Sequence, residues 1–219
     1  MKRWMKYERF LLKGDWHIHT NYTDGKNNVF EYCKQAQKNG LELIAFTEHV
    51  RKKLEFNFYD FVSDIFSAKD KFDLEILVGC EAKILDKAGT LNASKEVLDG
   101  CEIVIGSFHS FVPSSKEAYL AALANMISNP NVDIWGHPTL YAIKNNISLK
   151  IEDMFTIANL CVNNDVLIEN NFKYQVPDTK FQRIAMQESC KFVNGSDAHQ
   201  INELLKIRDD MNDCSYTSA

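Results

Sequence analysis

The chain has 219 residues, 45% apolar and 25% charged, the profile of one globular domain large enough for a real core. Its formal net charge is -5, and no long basic run is present. Extended DNA or RNA is therefore a poor first choice of partner, because a nucleic-acid backbone binder carries a basic face.

No stretch reaches the roughly 20 apolar residues of a membrane span. The basic N-terminus "MKRWMKYERFLLKGD" has neither an apolar core nor a small-residue cleavage site, so we read a cytoplasmic protein. The six cysteines, Cys33, Cys80, Cys101, Cys161, Cys190 and Cys214, form no C-x-x-C pair. Most lie in apolar stretches and are read as buried thiols in a reducing compartment.

Along the chain, short apolar runs alternate with longer amphipathic ones. Candidate strands end near "GDWHIH", "LELIAFTEH", "LEILVGCEAKI", "CEIVIGSFHS", "VDIWGHP", "VLIENN" and "FVNGSDAH". Helical spacing marks "VFEYCKQAQKNG", "FYDFVSDIFSAKDKF", "SKEAYLAALANMISNP", "IEDMFTIANLCVNN" and "TKFQRIAMQESCK". Asn39-Gly40 and Asn129-Pro130 are helix stops. The link from Glu81 to Cys101 holds at most a short helix around "SKEVLDG". Near the aromatic cluster "FNFYDF", Phe58, Phe61, Ile65 and Phe66 fit one buried helix face better than an aromatic overhang of a site.

The strands are nearly continuous in apolar residues, as expected when both faces are covered. Alternation of strand and helix over the whole chain argues for a parallel α/β fold. With no repeat, linker or low-complexity tract, residues 1–219 are read as a single domain.

All six histidines, His17, His19, His49, His109, His137 and His199, fall at or just after strand ends. Glu81 in "GCEAKI" and Asp197 in "GSDAH" fall at comparable places. In a parallel α/β barrel the C-terminal strand ends converge on the active site, and alternate residues share a face. His17 and His19 can then point together, as can Asp197 and His199. Imidazole and carboxylate are the usual ligands of zinc, manganese and iron, and so many imidazoles crowded without metal are hard to satisfy by hydrogen bonds.

The ordered set "DWHIHTNYTDG", "FTEH", "GCEAKI", "GSFHS", "GHP" and "GSDAH" resembles the polymerase and histidinol phosphatase (PHP) superfamily from about Asp15 to His199. The resemblance implies a distorted seven-stranded (β/α)7 TIM-like barrel and two to three divalent metal ions. It puts His17, His19, Glu81 and Asp197 on one metal, with Glu81 bridging to a second that also takes His109 and His137. Asp24, His49 and His199 would hold the third, where Asp24 takes a place that is histidine in some members. Glu81, Asp197 and His199 are the residues assigned to catalysis. The implied reaction is hydrolysis of a phosphoester by a metal-bridged hydroxide, ions about 3.5–4 Å apart also clamping the phosphate.

Around that set, Asp15 shares the face of His17 and His19 and is expected to buttress the site from deeper in the barrel. Glu48 is expected to orient His49, with weaker claims for Thr47 and Ser107. Arg51, Lys144 and Lys173, on loops at the rim, are the candidates to bind the substrate's phosphate, and Lys83, on the face of Glu81, is a further one. The leading substrate is a small phosphomonoester, histidinol phosphate or nucleotide-like. Alternatives are an amidohydrolase-type enzyme with Lys83 as a carboxylated bridge, a proofreading-exonuclease module acting on nucleic acid, and a non-catalytic binding remnant.

Overall fold

The structure, a computed structural model, describes residues 1–109, 111 and 113–207. Seven parallel strands follow one another in sequence order: β1 Gly14–Ile18, β2 Leu43–Val50, β3 Glu75–Lys83, β4 Ile103–Ser107, β5 Ile134–Trp135, β6 Leu167–Asn171 and β7 Phe192–Gly195. Between them run α1 Val29–Lys38, α2 Phe58–Lys69, α3 Lys95–Gly100, α4 Lys116–Ile127, α5 Leu140–Lys144, α6 Ile151–Asn163 and α7 Thr179–Gln187.

The ring of strands nearly closes. Ile18 bridges Ala198 in parallel, His19 donates its backbone N–H to the Ala198 carbonyl at 2.9 Å, and the Ser196 backbone N–H donates to Asp15 Oδ1 at 2.9 Å. The fold is the expected α/β barrel of seven strands, distorted because the last hydrogen bonds of the ring come from the loop after β7 rather than from a full ladder.

The helices start where the sequence supplies caps. Asn28 and Glu31 form a capping box on α1, and the side chains of Asn57, Ser94, Ser115 and Asp178 cap α2, α3, α4 and α7. Helix α1 stops at Asn39, and Gly40 follows with φ +74°, the left-handed turn that glycine adopts without penalty.

Strand alternation splits the core in two. Trp16, Leu43, Ala45, Leu77, Ile103, Ile105, Ile134, Leu167 and Val193 fill the barrel interior. Ile44, Phe46, Ile76, Val78, Val104, Trp135 and Ile168 face the helices. Trp4 and Phe10, from a 3-10 helix over Arg3–Phe10, join the inner cluster. Each such Leu, Ile, Val or Phe side chain is worth about 1.5–3 kcal/mol when fully buried, so the inner layer makes a rigid floor for whatever sits above it.

Four details depart from the sequence reading. The 3-10 helix and the short α5 lack a periodic signal long enough to be read. Between the pairs Asp15–Ile44 and Ile18–Phe46, β1 advances three residues while β2 advances two. That bulge puts Trp16 and His17 toward the interior and leaves Asp15 on the outer face with Ile44. Asp15 therefore does not share a face with His17. It accepts instead from the backbones of Ser196 and Leu205.

Phe66 is the third departure. Phe58, Phe61 and Ile65 are buried, but Phe66 is 57% exposed. At about 100° per residue it lies off their stripe, which continues through Ala68. Lastly, Lys144 ends α5 instead of sitting in a loop. Cys33, Cys80, Cys101 and Cys161 are buried and Cys190 partly so, all as free thiols. Cys214 and the tail "NDCSYTSA" lie outside the described residues. Among the described residues no helix is long and apolar enough to cross a membrane.

Candidate metal centre

Alternation carries Leu77, Gly79 and Glu81 up the inner face of β3, and Leu43, Ala45, Thr47 and His49 up that of β2. The two strands pair in register, with His49 opposite Glu81. Glu81 is thereby delivered to the centre of the barrel mouth, buried.

Its two oxygens face different neighbours. Oε1 lies 2.7 Å from His109 Nε2 and 2.8 Å from His137 Nε2. Oε2 lies 2.9 Å from His49 Nδ1 and 3.6 Å from both His17 Nε2 and His19 Nε2. This divided carboxylate matches a bridging ligand with His109 and His137 on one side and His17 and His19 on the other.

Asp197 Oδ1 stands 3.5 Å from His19 Nε2. Asp24 Oδ2 stands 3.5 Å from His49 Nε2 and 3.4 Å from His199 Nε2. In each of three groups, His17–His19–Asp197, His49–Glu81–His109 and His19–Asp24–His49–His199, the ligand atoms lie within 4.8 Å of one another. All nine residues read from the sequence as metal ligands are thus brought to one mouth. His49 stands between the second and third groups, and His19 between the first and third.

The donor set fits divalent ions. Nε2 of His17 and of His19 are buried and find no hydrogen-bond partner among the described residues. Buried polar atoms are rarely left so, and both point into the carboxylate cluster. Two of the candidate ligands also carry strained backbones: His137 has φ 28° and Asp197 φ 52°. Non-glycine residues in this region persist where the surroundings over-determine them, characteristically at functional sites.

Charge shapes the cluster. Burial works to raise the Glu81 carboxyl, but the imidazoles of His109, His137 and His17 outweigh it and hold it well below its usual range. Burial also works to raise Asp197, and is overcome by the charge of His17 and the hydrogen bond of His19. His19 goes the other way: burial pushes it down to about 3, so it stays neutral and ligand-competent. Burial lowers His17, yet the Glu169 and Asp197 carboxylates more than offset this and raise it.

The supporting residues behave differently from one another. Burial pushes Glu48 up to about 7 and Asp15 up to about 6. Glu48 Oε1 accepts the Thr20 backbone N–H at 2.8 Å and its hydroxyl at 2.6 Å, and Oε2 accepts from Thr23. It therefore fixes the loop that presents Asp24 and makes no hydrogen bond to the ring of His49. Thr47 bonds Ile18 across β1, while Ser107 Oγ finds no partner among the described residues.

Glu169, in "VLIENN", is a residue that sequence reasoning missed. It is fully buried on the inner face of β6 and lies 2.7 Å from His17 Nδ1. Its inward phase two residues after Leu167 is the only signal, and an apolar run ending in one acid does not distinguish it.

The cationic candidates ring the mouth. Arg51 lines a cavity of about 170 Å³ with His49, Glu81, Lys83 and His109, and a second of about 280 Å³ with Tyr22, Asp24 and Phe56. It is paired with Glu55. Phe56 thus lines the edge of the site, while Phe58 and Phe61 on α2 pack in the core. Lys144 lines a cavity of about 210 Å³ with His109, His137 and Tyr174, its ammonium 4.9 Å from the Tyr174 ring centre. Lys173 Nζ lies 3.4 Å from Asp197 Oδ1 and 3.2 Å from His199 Nδ1.

Residues 15–172 match the PHP domain family, and the chain belongs to that family. It is 30% identical over 211 residues to a "Probable phosphatase" of Thermoanaerobacter sp. (strain X514), covering 88% of this chain and 84% of that one. It is 28% identical over 202 residues to the DNA polymerase/3'-5' exonuclease PolX of Bacillus subtilis (strain 168), a match that covers 88% of this chain but only 35% of that protein. The fold is shared with histidinol phosphate phosphatase from Lactococcus lactis, solved with zinc, L-histidinol and phosphate, at a TM-score of 0.64 and 21% identity over 86% of this chain and 87% of that one. Family and relatives together place this chain among the hydrolases of the phosphatase type.

Proposed function

We propose that the chain is a metal-dependent phosphatase acting on a small phosphomonoester, with Glu81 bridging two divalent ions and Asp24, His49 and His199 offering a third position. The observation that carries this reading is Glu81 itself. One buried carboxylate has ring nitrogens of five imidazoles within 3.6 Å, an arrangement that makes chemical sense around cations. Zinc, manganese and iron all suit this donor set. Bound there, such ions supply a water of near-neutral pKa and neutralise phosphate charge.

The protein's own groups do the rest. His17, His19 and Asp197 hold one position, His109 and His137 the other, while Asp197 and His199 place Lys173 beside the reacting centre. Arg51, Lys83 and Lys144 surround the cavities next to the ligands and receive the phosphate oxygens. Asp24 is the least enclosed ligand, which makes the third position the weakest. The cavities suit the phosphate ester of a small alcohol, histidinol phosphate or a nucleotide among them. The buried thiols support a reducing cytoplasm, and the chain is proposed to act as one domain.

A nucleic-acid substrate is the second reading, favoured by the PolX relative and opposed by the net charge of -5. The amidohydrolase reading is weakened by Glu81, which already fills the bridge that a carboxylated Lys83 would supply.

The test is elemental mass spectrometry of protein purified without added metal or chelator, followed by a phosphoester screen in the metal found. Two to three equivalents and turnover of histidinol phosphate or mononucleotides support the proposal. Less than about half an equivalent with no uptake of added metal, or degradation of single-stranded DNA alone, defeats it.

A further inference from the structure

Glu169 joins two ligands that belong to different metal positions. Its Oε1 is 2.7 Å from His17 Nδ1, and its Oε2 accepts the backbone N–H of His137. Both ligands are buried. His17 reaches the cluster through its other nitrogen, Nε2. His137 is held at φ 28°, a conformation that needs external support.

Room for this carboxylate is built into the next strand. A Cβ at Gly195 would collide with Glu169 Oε1. Gly195 has no left-handed backbone to explain it, since Gly40 and Gly89 are the glycines with positive φ among the described residues. Its lack of a side chain has a packing reason: β7 is kept bare where Glu169 stands on β6.

We propose that Glu169 is a positioning residue that sets both metal positions at once. By accepting the Nδ1–H of His17 it fixes the tautomer that leaves Nε2 free as a donor of its lone pair to metal. By accepting the His137 N–H it holds the strained turn that aims that ring at Glu81. A carboxylate can accept both bonds, whereas an amide has one acceptor oxygen and a nitrogen that only donates. Glu169→Gln keeps the volume and loses one of the two bonds.

This inference rests on the metal-centre reading and is tested by metal affinity, without reference to turnover. Zinc, and separately manganese, is titrated against a competing chelator for wild type, Glu169→Gln, Glu169→Ala and Gly195→Ala. Thermal melting of the metal-free proteins checks that each is folded. Glu169→Gln, which keeps one acceptor, is expected to weaken at least one of the two tightest equivalents by about 10–100-fold, and Glu169→Ala, which loses both bonds, to weaken the two together with loss of the His17 Nδ1–H proton resonance. Gly195→Ala removes no polar group but must displace the carboxylate, so it weakens the same equivalents and remains informative if Glu169→Gln fails to fold. In a Glu169→Ala background it adds nothing further.

Wild-type affinity in all the folded variants overturns the proposal, as does a loss confined to one equivalent in Glu169→Ala. A wild type that binds no metal removes the metal-centre reading itself, an outcome distinct from either.

Discussion

Glu81 Oε1 lies 2.8 Å from His137 Nε2, although 56 residues separate the two in sequence. Only the barrel brings the inner face of β3 and the turn after β5 to one point. Replacing Glu81 by alanine removes the one group common to both proposed metal positions. Metal content is expected to fall by at least one equivalent, and turnover by at least about 1000-fold, since bound metal supplies several kcal/mol to the transition state. A folded Glu81→Ala protein that keeps turnover contradicts the mechanism.

Asp24 tests the third position separately. Its side chain is 55% exposed and touches only His49 and His199 among the cluster's rings. Asp24→Ala is expected to release the weakest-bound ion and leave the other two, as read by metal content after dialysis. Loss of all ions together shows that the three positions are not independent.

The basic rim is read through KM. Arg51→Ala and Lys144→Ala are each expected to raise KM about 10–100-fold, the equivalent of one charge-assisted hydrogen bond, with kcat less affected. Lys173→Ala differs because Lys173 also touches Asp197 and His199, so kcat falls with it. Unchanged constants remove a residue from the binding site.

Far from the mouth, Arg3 Nη1 pairs with buried Asp133 at 3.0 Å. Burial raises the Asp133 pKa above its ordinary 3.8 despite Arg3 and Lys2. A raised folded-state pKa means the favourable contribution is present below pH 3.8 and is lost as pH rises through the folded value. Arg3→Ala raises that pKa further. It is therefore expected to destabilise by about 2–4 kcal/mol at neutral pH, discounted for the partial exposure of Arg3, and by less at the lowest pH where the fold survives, where only its hydrogen bonds to the Asn131 and Leu98 carbonyls are lost. Denaturant unfolding at several pH values reads this, and a pH-independent loss contradicts it.

Two phenylalanines on α2 separate core from surface. Phe61→Ala is expected to cost about 3–5 kcal/mol, and Phe66→Ala to change stability by less than about 0.5 kcal/mol. Equal losses in thermal melts contradict the difference in their burial.

Strand order, most helix positions and the residues that gather at the mouth were legible in the sequence for a local reason. Apolar runs bounded by turn residues mark strands, and the six histidines, Glu81 and Asp197 sit at or just past their ends, so knowing that the sheet is parallel places them all at one mouth. The short α5 and the 3-10 helix were not legible, because so few residues carry no periodicity. Asp15 and His17 illustrate a subtler limit. Two residues apart on an ideal strand they share a face, but a bulge in β1, fixed by pairing with β2 and by the closing contacts to Ser196 and Ala198, sends them to opposite sides.

Which atoms meet was decided by tertiary structure. The sequence by itself determined that six histidines and their carboxylates would gather at strand ends. Only the closed barrel decided that Glu81 would turn its two oxygens to different imidazoles, that Phe56 rather than the rest of its cluster would reach the site, and that Glu169 would stand behind His17 in the space left by Gly195. Such relations depend on register between strands far apart in the chain, and a local pattern holds no record of register.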